Sequence, residues 1–164
     1  MLIRPAVPTD LPAVAAIYAH EVQTGTATFD LEARQLDAWI TRLASTEPGD
    51  HLLVATHEGE VCGYASSSAY RPKAGYRHTR ETTIYLADGA QGRGVGHRMY
   101  GELLDRLVAD GMHLAVAGIA LPNPASLALH RAHGFEEVGV MREVGRKFER
   151  WLDVLWVQKS LGVA

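Results

Sequence analysis

The apolar run "TTIYL" (Thr82–Leu86) leads directly into "GAQGRGVGHRMY" (Gly89–Tyr100), which holds Gly89, Gly92, Gly94 and Gly96. Glycine weakens a helix by about 1 kcal/mol relative to alanine, so crowding it at a helix start marks a place where something must come close to the main chain. From Val95 to Asp110, Met99, Leu103 and Leu107 recur at helical spacing, and "HLAVAGIA" is a mostly apolar strand of the kind covered on both faces. Strand, glycine loop, helix and strand within about 40 residues form a βαβ unit, whose two strands run parallel through a right-handed crossover.

Around that unit the pattern gives the remaining elements. "LIRPA" is a short edge strand ended by Pro5. Thr9 or Asp10 caps a helix that has Pro12 in its first turn and Leu11, Val14, Ile17 and Tyr18 on one face. A second helix is predicted from Leu31 to Ser45, with Leu36, Trp39, Ile40 and Leu43 facing inward. "HLLVATH" and "VCGYASSS" flank "EGE" as a hairpin. After the βαβ unit come a short helix, "NPASLALHRAH", the turn "GF", and closing strands around "EVGVMRE" and "LDVLWVQKSL". The chain therefore reads as one α/β domain, residues 1–164, on a sheet of mixed direction.

Length and charge narrow the function. A chain of 164 residues can bury a sizeable core, and a formal net charge of -3 argues against nucleic acid or an anionic membrane as main partner. No apolar run approaches the roughly 18 to 20 residues that span a bilayer, and no secretory signal is visible, so a soluble cytoplasmic protein is expected. Cys62, the single cysteine, cannot form an internal disulfide and reads as a structural thiol in a strand.

The glycine stretch fails the G-x-G-x-x-G dinucleotide pattern, because His97 takes the last position, and it lacks the G-K-[ST] ending of a P-loop. What remains is Gln91-x-x-Gly94-x-Gly96, entering a helix directly after a strand. Successive main-chain N–H groups at the positive end of a helix bind anions without a lysine, and glycine removes the side chains that would obstruct them. A second polar cluster, "LPNPASLALHRAHGF", follows the next strand end.

Strand, Q-x-x-G-x-G, helix, strand, Asn-x-x-Ser and a helix ending in Gly-Phe together resemble the Gcn5-related N-acetyltransferase superfamily (GNAT). "TATFD", "YRPKAGYRHTRETTIYL", "VAGIALPNPASLALHRAHGF" and "REVGRKFERWLDV" are further similar to its phosphinothricin and methionine sulfoximine (or sulfone) N-acetyltransferases. The resemblance implies the acyl-CoA N-acyltransferase fold: a mostly antiparallel mixed sheet, flanked by helices, with a splayed parallel pair at its centre. It implies acetyl-CoA as co-substrate, its pyrophosphate on Gln91, Gly92, Arg93, Gly94, Val95, Gly96 and His97. Its pantetheine arm would lie along Ile84, Tyr85 and Leu86, with polar contacts from Asn123 and Ser126.

Acetyl transfer to an amine requires a base for the amine, donors for the carbonyl oxygen and a proton for the leaving thiolate. The resemblance places the base at Glu81, which shares a strand face with Thr83 and Tyr85, and the oxygen's donor at the main-chain N–H of Leu86. His130 occupies the position where many superfamily members carry an acidic tyrosine. It is either a proton carrier or a residue that only hydrogen-bonds the pocket wall. His130 and His133 have metal-compatible spacing, but no H-E-x-x-H or Cys/His quartet accompanies them, so no metal is expected. For an amino-acid acceptor we expect Arg71 and Lys147 as carboxylate-binding cations, with Phe29, Tyr76 and Phe148 as apolar walls. Arg80, beside Glu81, would lower the Glu81 pKa or bind substrate. Relatives suggest a homodimer, for which Trp39, Trp151 and Trp156 are aromatic candidates, although core packing is expected for at least two of them. Other acceptors (a protein N-terminus, a polyamine, another amine) and a non-catalytic acyl-CoA-binding domain remain alternatives at this point.

Overall fold

Strand alternation and helical spacing resolve, in a computed structural model describing residues 1–162, into seven strands and four α-helices among the described residues. In chain order they are β1 (Leu2–Pro5), α1 (Leu11–Thr24), α2 (Leu36–Leu43), β2 (His51–His57), β3 (Glu60–Ala69), β4 (Thr79–Leu86), α3 (Val95–Ala109), β5 (Leu114–Ala120), α4 (Pro124–Ala132), β6 (Glu136–Lys147) and β7 (Arg150–Ser160). All seven strands join one sheet in the order β1-β2-β3-β4-β5-β7-β6. Every neighbouring pair is antiparallel except β4 and β5. The mixed sheet with one central parallel pair is the architecture expected from the sequence.

Continuous apolar runs such as "LLVA" in β2 arise because both faces of the sheet are covered. On one face Leu53 and Ala55 pack with Met99, Leu103 and Leu107 of α3 and with Ala115, Ala117 and Ile119 of β5. On the other, Leu52, Val54 and Tyr64 pack with Leu11, Val14, Tyr18 and Val22 of α1 and Trp39 of α2. Each such side chain contributes about 1.5–3 kcal/mol when fully buried.

Helix α2 differs from its prediction. Residues 31–35 do not join it, and only Trp39 of its expected apolar face is buried, while Leu36 and Ile40 are exposed. The cause is the preceding segment. Asp30 accepts a 2.5 Å hydrogen bond from the Tyr18 hydroxyl and a 2.9 Å bond from Arg34 Nε, which holds residues 30–34 as a loop against α1. Trp39 is accordingly the single core residue of the three tryptophans, with Trp151 exposed and Trp156 half-buried.

The first helix starts at Leu11, after a 3₁₀ turn from Pro8 to Asp10, and Asp10 does not cap α1 through its side chain. Its carboxylate instead accepts the Val7 N–H at 2.8 Å and a two-pronged Arg4 guanidinium at 2.6 and 2.9 Å. Hydrogen bonding to Arg4 holds the Asp10 carboxyl below the usual carboxylate range. Asp10→Ala is expected to cost about 2 kcal/mol, read as a lowered Tm at neutral pH. A depressed folded-state pKa stabilises above the unfolded value and ceases to do so as pH falls through the folded one, so the Tm gap should close in acid.

Candidate active site

The parallel pair stops early. Its last paired rung is Glu81 with Val116, although β4 continues to Leu86 and β5 to Ala120. Ala87 donates its N–H to Cys62 O, and Thr79 O accepts from Tyr70 N, so the odd-numbered main-chain groups of β4 serve β3. Even-numbered groups point the other way. The N–H and C=O of Ile84 and Leu86 therefore face a gap from which β5 has departed. This gap opens into a cavity of about 490 Å³ bounded by Thr82–Leu86, Ala117–Ala120, Ile17 of α1 and His130 of α4.

The glycine loop closes one end of that cavity. Gly92 and Gly94 have φ of +72° and +75°, and a Cβ built on either would meet no atom within 4 Å. A left-handed backbone and an empty Cβ direction together leave main-chain amides open to an approaching group. Gly94 caps α3 without a side chain, and Arg98 N is the first to bond back to it. The N–H groups of Val95, Gly96 and His97 thus lack helical acceptors at the positive helix end. The loop fits a phosphate-bearing ligand. Gly96 serves packing as well, its Cβ position lying 3.5 Å from Leu86 Cδ1 and 3.7 Å from Ile84 Cδ1.

Glu81 sits at the fork where β4 and β5 part, on the face of Thr83, whose hydroxyl bonds Ser66 Oγ at 2.9 Å, and of Tyr85, which packs against Tyr18 and Tyr64. Burial pushes its carboxyl above the usual range, with the Arg71 charge pulling the other way. On the opposite face Thr82 Oγ1 lies 2.7 Å from the Tyr100 hydroxyl, which lies 2.9 Å from His130 Nε2. His130 Nδ1 is 2.8 Å from Ser126 O. Both ring nitrogens are thus engaged by the protein, and burial lowers the His130 pKa.

Beyond Val116 a second cavity, about 530 Å³, lies between Tyr70, Arg71, Tyr76 and Trp156, with Val138, Val140 and Met141 of β6 as its far wall. Arg71 is set in place by stacking over the Tyr70 ring at 4.4 Å and by donating to Tyr70 O.

Residues 14–135 match the family model described as Acetyltransferase (GNAT) family. The chain belongs to the GNAT family. This acetyltransferase is 45% identical over 165 residues to a phosphinothricin N-acetyltransferase of Streptomyces coelicolor, covering 97% of this chain and 95% of that one. It is 42% identical to an L-methionine sulfoximine/L-methionine sulfone acetyltransferase of Pseudomonas paraeruginosa, covering 97% and 94%. A solved phosphinothricin acetyltransferase from Sinorhizobium meliloti, in complex with AcCoA, superposes with a TM-score of 0.94 at 39% identity, covering 98% and 88%. The protein is an N-acetyltransferase that uses acetyl-CoA.

In this GNAT enzyme the fold brings Ile84, Tyr85, Leu86, Gln91, Gly92, Gly94, Gly96, His97, Asn123, Ser126 and His130 to one cavity. Arg93 and Val95 are not among its walls: Arg93 is exposed and the Val95 side chain is core, leaving only its amide for the loop. Asn123 caps α4, its Oδ1 accepting the Ser126 N–H at 3.0 Å. Arg71 and Tyr76 line the second cavity.

Three other expectations are corrected. Lys147 is not a free cation: it is 3% exposed, donates to Thr28 O at 2.9 Å, and ties β6 to the loop after α1. Phe29 is bound up in the same tie, packed over Gly145, where a Cβ would meet its ring at 2.5 Å. Arg80 points to the opposite side of β4 from Glu81, buried, with its guanidinium on Pro48 O and 3.7 Å from Asp50. Phe148 is half exposed. Tyr100 and Tyr70 were not singled out from the sequence, and Trp156 was considered there only for an interface or the core. A tyrosine on the buried stripe of α3 was a usable signal, since a buried hydroxyl needs a partner. Among the described residues no three His, Cys, Asp or Glu side chains gather as metal ligands would, and no helix is long and apolar enough to cross a membrane.

Proposed function

We propose that this chain, acting as one domain, transfers the acetyl group directly to the α-amine of a small amino acid or analogue, in the class of phosphinothricin, methionine sulfoximine and methionine sulfone. The observation that carries this reading is the place of Glu81. It stands at the fork where the parallel strands part, flanked along β4 by Thr82, which lines the glycine-floored cavity, and paired across to Val116, which lines the one walled by Tyr70, Arg71 and Trp156. A carboxylate so placed can reach an amine entering from one side while the acyl donor enters from the other.

Acetyl-CoA supplies an activated thioester, and the chain's residues do the rest. Amides 95–97 and the glycines hold the pyrophosphate, and the edge of β4 at Ile84 and Leu86 pairs with an extended amide-bearing arm. Glu81 takes the amine proton, directly or through a water, and its raised pKa makes it a stronger base than a solvated glutamate. The Leu86 N–H, free of β5, is the donor for the developing negative oxygen. Arg71 forks onto the acceptor carboxylate, with Tyr70, Tyr76 and Trp156 packing its side chain. His130 takes the wall-bonding role of the two left open by the sequence, because neither ring nitrogen is free.

Release of free thiol from acetyl-CoA across an amine panel tests the proposal. Turnover with methionine sulfone or phosphinothricin, and none with peptides or polyamines, is the expected result; turnover with peptides alone would overturn it. Arg71→Ala should raise KM for the amino acid about tenfold while leaving KM for acetyl-CoA unchanged. We also propose a homodimer, supported by exposed Val138, Val140, Val144 and Trp151 on β6 and β7. Sedimentation at several concentrations reads that directly.

A further inference from the structure

The buried hydroxyl of Tyr100 has a role that core packing does not explain. The ring is wholly inaccessible, stacked 5.7 Å from Phe135 and edge-on to His130 and His133. Phenylalanine would fill that volume equally well, yet the hydroxyl meets two polar side chains from two other elements, Thr82 of β4 and His130 of α4.

Proton positions follow from the partners. Ser126 O is a carbonyl and can only accept, so the 2.8 Å contact puts a proton on His130 Nδ1. In the neutral ring Nε2 is then a bare lone pair, and Tyr100 must donate to it. The Tyr100 oxygen is left as an acceptor, and Thr82 Oγ1–H, which also lies 3.2 Å from Val116 O, donates to it over the shorter distance of 2.7 Å. Burial raises the Tyr100 pKa and lowers that of His130, which keeps both groups neutral in this arrangement.

Resting on the acetyltransferase reading above, we infer that Tyr100 is a positioning residue for acetyl transfer: its hydroxyl joins β4, α3 and α4 at one oxygen and holds the Nδ1–H tautomer of His130 in place in the cavity wall. Those three elements carry the free amides of Ile84 and Leu86, the amides after Gly94, and the pair Asn123 and Ser126. Their relative placement sets where a bound acyl carbon stands with respect to Glu81. The effect belongs to kcat, because the Tyr100 hydroxyl bonds Thr82 and His130 and none of the amides that open α3.

The test uses the full chain and the variants Tyr100→Phe, Thr82→Val and Thr82→Ser. Nitrogen-15 spectra of histidine-labelled parent should show His130 with a protonated Nδ1 and a hydrogen-bonded, unprotonated Nε2. In Tyr100→Phe the Nε2 resonance should move to that of an unbonded nitrogen. Its kcat should fall about tenfold, with the acetyl-CoA Kd held within about twofold. Thr82→Val should lower kcat in the same direction, and Thr82→Ser should restore it. A parent His130 protonated on Nε2, an unchanged kcat in Tyr100→Phe, or a parallel loss of kcat, Kd and Tm overturns the inference. A parent that takes up no acetyl-CoA overturns the acetyltransferase reading instead, a result distinct from an active parent with an indifferent Tyr100→Phe.

Discussion

Glu81→Gln is expected to lower kcat at least about a hundredfold while leaving the acetyl-CoA Kd within about twofold. The side chain keeps its shape while losing its charge and its ability to accept a proton. Because Glu81 lies at the last rung shared with β5, outside the walls of the glycine-floored cavity, cofactor uptake should hardly register the change. The pH profile gives an independent check. Burial raises the Glu81 pKa above its ordinary value of 4.5. A general base works only when deprotonated, so kcat/KM should fall as pH drops through that raised value, with an acid limb displaced upward from a solvated glutamate. In Glu81→Gln the residual rate should lack that limb. Equal rates for parent and variant would take the base role away from Glu81.

Gly94→Val should weaken acetyl-CoA binding at least about tenfold, because it obstructs one or more charge-assisted amide contacts. Two features of the position combine. Its φ of +75° is one that a β-branched residue adopts only with strain, and its Cβ direction is empty space at a position that lines the cavity. Strain alone would lower Tm without touching affinity, so Gly89→Val is the control. Gly89 has a φ of +81°, also meets nothing within 4 Å, and does not line the cavity. Calorimetry should show a weakened Kd for the first variant and a near-parental Kd for the second. Equal Kd values for Gly94→Val and parent would remove the phosphate from this loop.

How far the sequence reached can be judged residue by residue. The stripe Met99, Leu103, Leu107 and the apolar run of β5 predicted a helix over a parallel strand, and all three stripe residues are fully buried. The glycines announced a helix start whose main chain is open to approach, and Gly92 and Gly94 line the cavity there, with positive φ that the sequence reading had not specified. Helix α2 misled because its pattern was read without the Tyr18–Asp30–Arg34 contacts that hold the preceding segment as a loop. Arg80 and Lys147 misled for a related reason. A cation beside a catalytic candidate looks functional in one dimension, whereas a strand turns neighbours to opposite faces and a distant carbonyl can claim a buried amine.

What the sequence determined by itself is whatever depends on neighbours along the chain: the periods of its helices and strands, the loop conformation only glycine adopts easily, and hence the βαβ unit with an anion-binding turn. Tertiary structure alone decided where β4 and β5 part, that Glu81 stands at that fork, and that Thr82, Tyr100 and His130 share one hydrogen-bonded chain. Those relations join residues from 18 to 48 positions apart. They are set by how three elements pack on a common sheet, which no local pattern encodes.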